Sequence, residues 1–313
     1  MYHRIKIISI YSLIMVAASE ESINRIGTVL ANTKLPMKER FRALFTLKNL
    51  GGNLAIDNIA KCFNDDSCLL KHELAYCLGQ MRDEYAIPYL IEVLKNDKQE
   101  PMVRHEAAEA LGAIGKENVI PILEEYKNDP VEELAETCQL ALGRLLLPKN
   151  EANIENIYGS VDPAPPSEIK SVEELEKILT NENESLFNRY KAMFSLRDIA
   201  SSESITILSK ALSCGSALFK HEIAFVLGQL QSPLSVPYLK ESLIDENQND
   251  MVRHECAEAL GAIATDDCYD ILKQYINDQK VVVKESCEVA LDMCEYENCP
   301  DFQYADTLEK VTL

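Results

Sequence analysis

The 313-residue chain has no tryptophan, five histidines, 11 glycines and 12 prolines. So few turn formers exclude a collagen-like chain and argue against a turn-rich all-β protein. Its ten cysteines include no Cys-x-x-Cys pair. Cys77, Cys138, Cys256 and Cys287 fall inside apolar helical patterns, where a free thiol packs as a small hydrophobe. That placement argues for a reduced, cytoplasmic protein over a disulfide-linked secreted one. Positive charge is scarce too: Lys+Arg 31 against Asp+Glu 51 gives a net charge of −20. Such a balance excludes the basic footprint of a nucleic-acid binder and suits a basic partner. Long hydrophobic runs are missing; the nearest is IISIYSLIMVAA near the start, too short to span a bilayer comfortably.

What is present is ordinary globular composition, 47% hydrophobic and 26% charged, in a chain long enough to bury a core. The charge is uneven. Residues 1–150 carry 18 basic and 21 acidic side chains, a balance of −3, whereas residues 151–313 carry 13 and 30, a balance of −17. Solubility and steering of a basic partner account for this equally well. The first residues, with His3, Arg4 and Lys6 before the apolar stretch, resemble a signal peptide. With Met15 available as a second start and the cysteines placed as in a reduced protein, a dispensable extension is the better reading.

Internal repetition decides the fold class. The segment MVRHEAAEALGAI at 102–114 recurs as MVRHECAEALGAI at 251–263, KHELAYCLGQ at 71–80 as KHEIAFVLGQ at 220–229, and RFRALFTL at 40–47 as RYKAMFSL at 189–196. All three pairs are offset by 149 residues, so the chain is a duplicated pair of halves. Within each half a 33-residue period separates His72 from His105 and His221 from His254. That is the length of a helix–turn–helix repeat. Ala108, Leu111 and Ile114 trace one helical face, and Pro88 suits an early position of a second helix. Four repeats per half are anchored near Leu47, Leu78, Leu111 and Ala141, then Leu196, Leu227, Leu260 and Ala290. The expectation is an all-α protein, an α-solenoid of eight helical-hairpin repeats in two pseudo-symmetric halves joined by a linker. The expected division is an extension at 1–21, a first half at 22–147, a Pro-containing linker at 148–167, a second half at 168–293 and a tail at 294–313. The linker is long enough for the halves to turn and face each other.

Four of the five histidines precede a glutamate: His72-Glu73, His105-Glu106, His221-Glu222 and His254-Glu255. They occupy the two central repeats of each half, while the outer repeats have Phe41-Arg42, Ala135-Glu136, Tyr190-Lys191 and Lys284-Glu285 at that place. Duplication of a helix-favouring dipeptide does not explain why histidine is kept at the centre and absent at the ends. Helices stacked about 10 Å apart bring such side chains together. His72, His105 and Glu106 then form the two-imidazole, one-carboxylate pattern of non-haem ferrous iron, and His221, His254 and Glu255 repeat it. If the halves face each other, the two sets meet, with Glu73 and Glu222 adding two carboxylates. That composition suits a di-metal centre; mononuclear zinc would want fewer carboxylates or some thiolates. Cys77 and Cys256, close by in sequence, read as packing residues. A non-enzymatic solenoid has no use for eight repeated ligand-type residues, whereas a zinc or manganese hydrolase, or a HEAT-like lyase, is distinguished by metal identity alone.

The paired HE repeats, the segments KHELAYCLGQM and EPMVRHEAAEALGAIG and the linker SVDPAPP resemble the deoxyhypusine hydroxylase family of HEAT-repeat di-iron monooxygenases, from about Ser22 to about Leu291. The resemblance implies hydroxylation of the deoxyhypusine side chain of eukaryotic translation initiation factor 5A to hypusine. It implies two Fe(2+) per chain, with O2 and an external reductant as co-substrates. By motif position His72, His105 and Glu106 would hold one iron and His221, His254 and Glu255 the other. Glu73 and Glu222 fall where the family binds the cationic substrate amine, and are candidate iron ligands as well. The expected partner is the deoxyhypusine form of that basic factor, met by a cytoplasmic monomer without nucleic acid or membrane. Residues 1–14 and 294–313 find no counterpart in the resemblance.

Overall fold

The computed structural model describes residues 18–148, 156–300 and 303–312. The start of the chain, with His3 and Met15, and residues 149–155 of the linker lie outside the described residues. Among those described, all regular structure is helical. The first half contains α1 (Glu20–Ala31), α2 (Met37–Leu50), α3 (Asn53–Ala60), α4 (Cys68–Met81), α5 (Ile87–Lys95), α6 (Pro101–Ile114), α7 (Ile120–Tyr126) and α8 (Glu132–Leu145). The second contains α9 (Val172–Thr180), α10 (Leu186–Ile199), α11 (Ser202–Ala211), α12 (Ala217–Leu230), α13 (Val236–Ile244), α14 (Asp250–Ile263), α15 (Asp266–Tyr275) and α16 (Val281–Asn298). A short α17 (Thr307–Thr312) follows. Taken in order these pair into eight hairpins, as the 33-residue period predicts.

Local chemistry sets the helix ends. Serine side chains cap α1, α4, α9, α10, α11 and α12 by accepting a backbone N–H of the first turn. Pro88 stands in the first turn of α5, where its missing N–H costs nothing. All eight repeat anchors, Leu47 through Ala290, are buried, and all lie on the second helix of their hairpin.

A recurring staple ties alternate hairpins together. Arg40, Arg104, Arg189 and Arg253, on the second helices, each donate Nε to a carbonyl ten residues back at 2.8–3.0 Å. Three of them also reach an aspartate of the following turn: Arg40 with Asp65, Arg104 with Asp129 at 3.7 Å and Arg253 with Asp278 at 2.6 Å. Arg189 instead covers the Phe219 ring at 3.9 Å.

The second helices stack side by side, α2–α4–α6–α8 and α10–α12–α14–α16. The halves also touch at both ends: α8 packs on α10, and α16 packs on α2. The eight inner helices therefore close into a ring, with the first helices outside it. One seam is charged. Arg42 of α2 grips Asp292 of α16 through both carboxylate oxygens, and Ser67, the α4 cap, donates to Glu285 at 2.7 Å. At the other, Gly143 of α8 lies so close to Phe187 of α10 that a Cβ there would sit 2.7 Å from the ring, and Glu133 of α8 accepts from Asn249 Nδ2 of the second half at 3.2 Å. The boundary expected after residue 293 falls inside α16. Residues 303–312 then fold back, with Tyr304 buried against Phe45 and Tyr296 and the Thr307 N–H donating to Thr46 Oγ1.

Candidate metal centre

The four HE dipeptides occupy the fifth and sixth positions of α4, α6, α12 and α14. Seven residues on, two turns along the same face, each of these helices carries a glycine: Gly79, Gly112, Gly228 and Gly261. A Cβ on Gly79 would lie 2.7 Å from Ala110 Cα, one on Gly112 2.8 Å from Ala141 Cβ, and one on Gly261 2.8 Å from Ala290 Cα. The glycines thus let neighbouring inner helices approach backbone to backbone, and the histidines above them converge.

They converge on one point. His72 and His105 ring centroids are 5.6 Å apart, and those of His221 and His254 5.2 Å apart. Across the halves, His72 lies 5.7 Å from His221 and 5.2 Å from His254. Ligand-type atoms of His72, His105 and Glu106 come within 4.8 Å of one another, and so do those of His72, His221 and His254. The first set is the triad expected from the spacing. The second crosses the halves, so ring distances alone draw no line between two triads. The carboxylates draw it better: Glu106 Oε2 is 3.2 Å from His72 Nε2, and Glu255 Oε2 is 3.4 Å from His221 Nε2.

All eight residues are buried. None of the eight imidazole nitrogens makes a hydrogen bond among the described residues, nor does Glu255 Oε1. Burial, with the other rings nearby, pushes His105, His221 and His254 far below the ordinary imidazole range, so they are neutral ligand bases. Burial and then neighbouring carboxylates push Glu73 and Glu255 well up, and Glu222 to about 8. A dry pocket of unbonded imidazoles and crowded carboxylates is costly by itself, and bound cations satisfy both kinds of group at once. The donor set, imidazole and carboxylate without thiolate, fits iron or manganese better than structural zinc. Cys77 and Cys256 are buried, and burial raises both thiols, Cys256 to about 12. Like the other eight cysteines, they form no disulfide.

A cleft opens onto His72 and His221, lined by Glu73, Tyr76, Glu106, Glu109, Glu222, Phe225 and Glu255 and by Val161, Asp162 and Pro163 of the linker. The linker, read from sequence as a spacer, is a wall of the site. Gln80 and Gln229, equivalent residues of the two halves, hold it: the Val161 N–H donates to Gln80 Oε1 at 2.9 Å, and Gln229 Nε2 donates to Ser160 Oγ at 2.9 Å. The fully buried Arg197 pairs with Asp162 at 2.7 Å and donates to Gln229 at 3.0 Å. The proline-rich composition of this segment signalled extended backbone and nothing more. The shared Gln after LG in the two motifs was the one sequence signal for its clamp.

Helical-repeat families match the chain: HEAT repeats over residues 40–143 and 205–292, and a PBS lyase HEAT-like repeat over 189–214. A Drosophila pseudoobscura pseudoobscura protein named deoxyhypusine hydroxylase is 62% identical over 296 residues, 94% of this chain and 98% of that protein. The human protein of that name is 54% identical over 295 residues, again 94% and 98%. The solved structure of human deoxyhypusine hydroxylase in complex with glycerol matches with a TM-score of 0.86 at 54% identity, over 88% of this chain and 97% of that one.

Proposed function

The chain belongs to the deoxyhypusine hydroxylase family, and from that premise we propose how its central cleft converts deoxyhypusine to hypusine on eukaryotic translation initiation factor 5A. The enzyme is an oxidoreductase of hypusine formation. His72, His105 and Glu106 hold one Fe(2+), and His221, His254 and Glu255 hold the other. Bound there, two ferrous ions supply the dioxygen-activating redox chemistry that side chains lack, with electrons from an external reductant. The observation that carries this reading is the knot of four buried histidines whose ring nitrogens make no hydrogen bond among the described residues.

The protein's own part is positioning and enclosure. The ligands stand on four helices locked by backbone-close packing, which fixes their geometry. Glu73 and Glu222 flank the centre; each takes a substrate ammonium through a charge-assisted hydrogen bond or completes a metal's coordination. The Tyr76 and Phe225 rings, 6.3 Å apart, offer apolar faces to the methylenes between the nitrogens. The clamped linker limits water access.

The enzyme works in the cytoplasm as a monomer: its ten cysteines are free thiols, and the helices an open solenoid would leave bare at its ends cover each other. No described helix is long and apolar enough to cross a membrane. The test is elemental analysis of the purified protein together with mass spectrometry of the deoxyhypusine-bearing factor after incubation with O2 and reductant. Two irons per chain and a substrate heavier by one oxygen atom are expected. Zinc, or an unchanged substrate, would return the protein to a hydrolase or a scaffold.

A further inference from the structure

Glu109 and Glu258 are twins, each four residues after the histidine of the duplicated MVRHE motif, yet they face different surroundings. Glu258 is buried on the side covered by Tyr304, and its Oε1 stands 3.7 Å from His254 Nδ1. Glu109 is half-buried in the cleft wall beside Val161, Asp162 and Pro163. No cation lies within ion-pairing distance of it among the described residues. The one whose charge it feels, Arg144, gives Nη1 to the Asp162 carbonyl. Asp162 is itself satisfied, by Arg197, Asn156 and Ser160. Glu106 and Glu255 lean on His72 and His221. Among the carboxylates of the cleft, Glu109 alone is neither beside a histidine nor paired nor adjacent to one in sequence.

Glu73, Glu109 and Glu222 all line the one cleft, together with Val161, Asp162 and Pro163 of the linker. Several carboxylates in one cleft match one feature of the substrate. Deoxyhypusine is a lysine whose ε-nitrogen bears a four-carbon aminoalkyl chain, so it presents two ammonium groups about 6 Å apart when extended. A lysine presents one.

We infer, on the reading of the site given above, that Glu109 is a specificity residue that receives one of the two ammonium groups of deoxyhypusine, while Glu73 or Glu222 takes the other. The carbons between the two nitrogens then lie over the histidine knot. A side chain with one nitrogen leaves one of these carboxylates uncompensated in a partly buried cleft, and discrimination follows from that penalty.

The test uses the iron-loaded full-length enzyme and the deoxyhypusine-bearing factor. Glu109→Gln keeps the shape and removes the charge. KM is expected to rise at least tenfold while kcat and iron content stay within twofold of the parent. Glu109→Asp, which restores a carboxylate, is expected to recover most of the lost affinity. A Glu109→Gln enzyme with KM within twofold of the parent, or one whose loss falls on kcat or iron content, overturns the assignment. A parent enzyme that carries iron but leaves the substrate unmodified overturns the reading beneath it.

Discussion

The two halves share a motif 149 residues apart, and the same residues of that motif do different work in each. His105 and His254 occupy the same helical position, but His254 has Glu258 beside it and His72 5.2 Å away. Gln80 accepts from the linker backbone, whereas Gln229 donates to a linker side chain and accepts from Arg197. Duplication kept the positions that build the centre and let the covering diverge. The linker follows the first half and covers one side; residues 303–312 follow the second half and cover another. Two near-identical solenoids thus make one site with distinguishable sides, as a substrate with two unlike nitrogens requires.

The largest expected effect is at the histidines. His105→Ala and its twin His254→Ala each remove a ligand from one of the two irons, so each is expected to lose at least half the iron, with helicity unchanged by circular dichroism because apolar repeat contacts hold the fold. Elemental analysis reads the loss, and full retention by either variant would remove that histidine from the ligand set.

The seams come next. Arg42→Ala leaves Asp292, whose side chain is fully buried, without its guanidinium partner. Breaking a buried pair in this way costs about 3–5 kcal/mol. Urea denaturation is expected to show a loss of that size, and a loss under 1 kcal/mol would mean the charged seam does not hold the ring. The smallest expected contrast separates Gly79 from Gly228. A Cβ would meet Ala110 Cα at 2.7 Å in the first half and Ala259 Cα at 3.1 Å in the second. Gly79→Ala should therefore cost about 1–3 kcal/mol. Gly228→Ala should lie near zero, because the gain in helix propensity, about 1 kcal/mol, offsets milder crowding. Equal losses in thermal unfolding would remove this asymmetry.

These contrasts also mark what was legible in the residues. Hairpin repeats are short-range objects, and period, anchors and caps recur locally, so the eight repeats and the shared helical position of the HE pairs could be read directly. Arg42 and Asp292 are 250 residues apart, and nothing near either announces the other. The mingling of His72 with His221 and His254 likewise depends on how far the halves turn, which is set at the seams. The linker was legible as extended chain, but its capture by Gln80, Gln229 and Arg197 was not, because a proline-rich segment carries no signal for what lies beneath it. Glu109 was hidden by its identical setting: AAEALGAI and CAEALGAI read alike until the covering segments tell them apart.

The closed ring has a consequence for the order of events in the cell. An open solenoid acquires its properties repeat by repeat as it leaves the ribosome. Here His72 meets His221 and His254 only after most of the chain has been made, and the Arg42–Asp292 clasp waits for residues near its end. A chain interrupted after its first half has two of the four rings and no opposing wall. The complete four-ring centre therefore forms only when nearly the whole polypeptide is present.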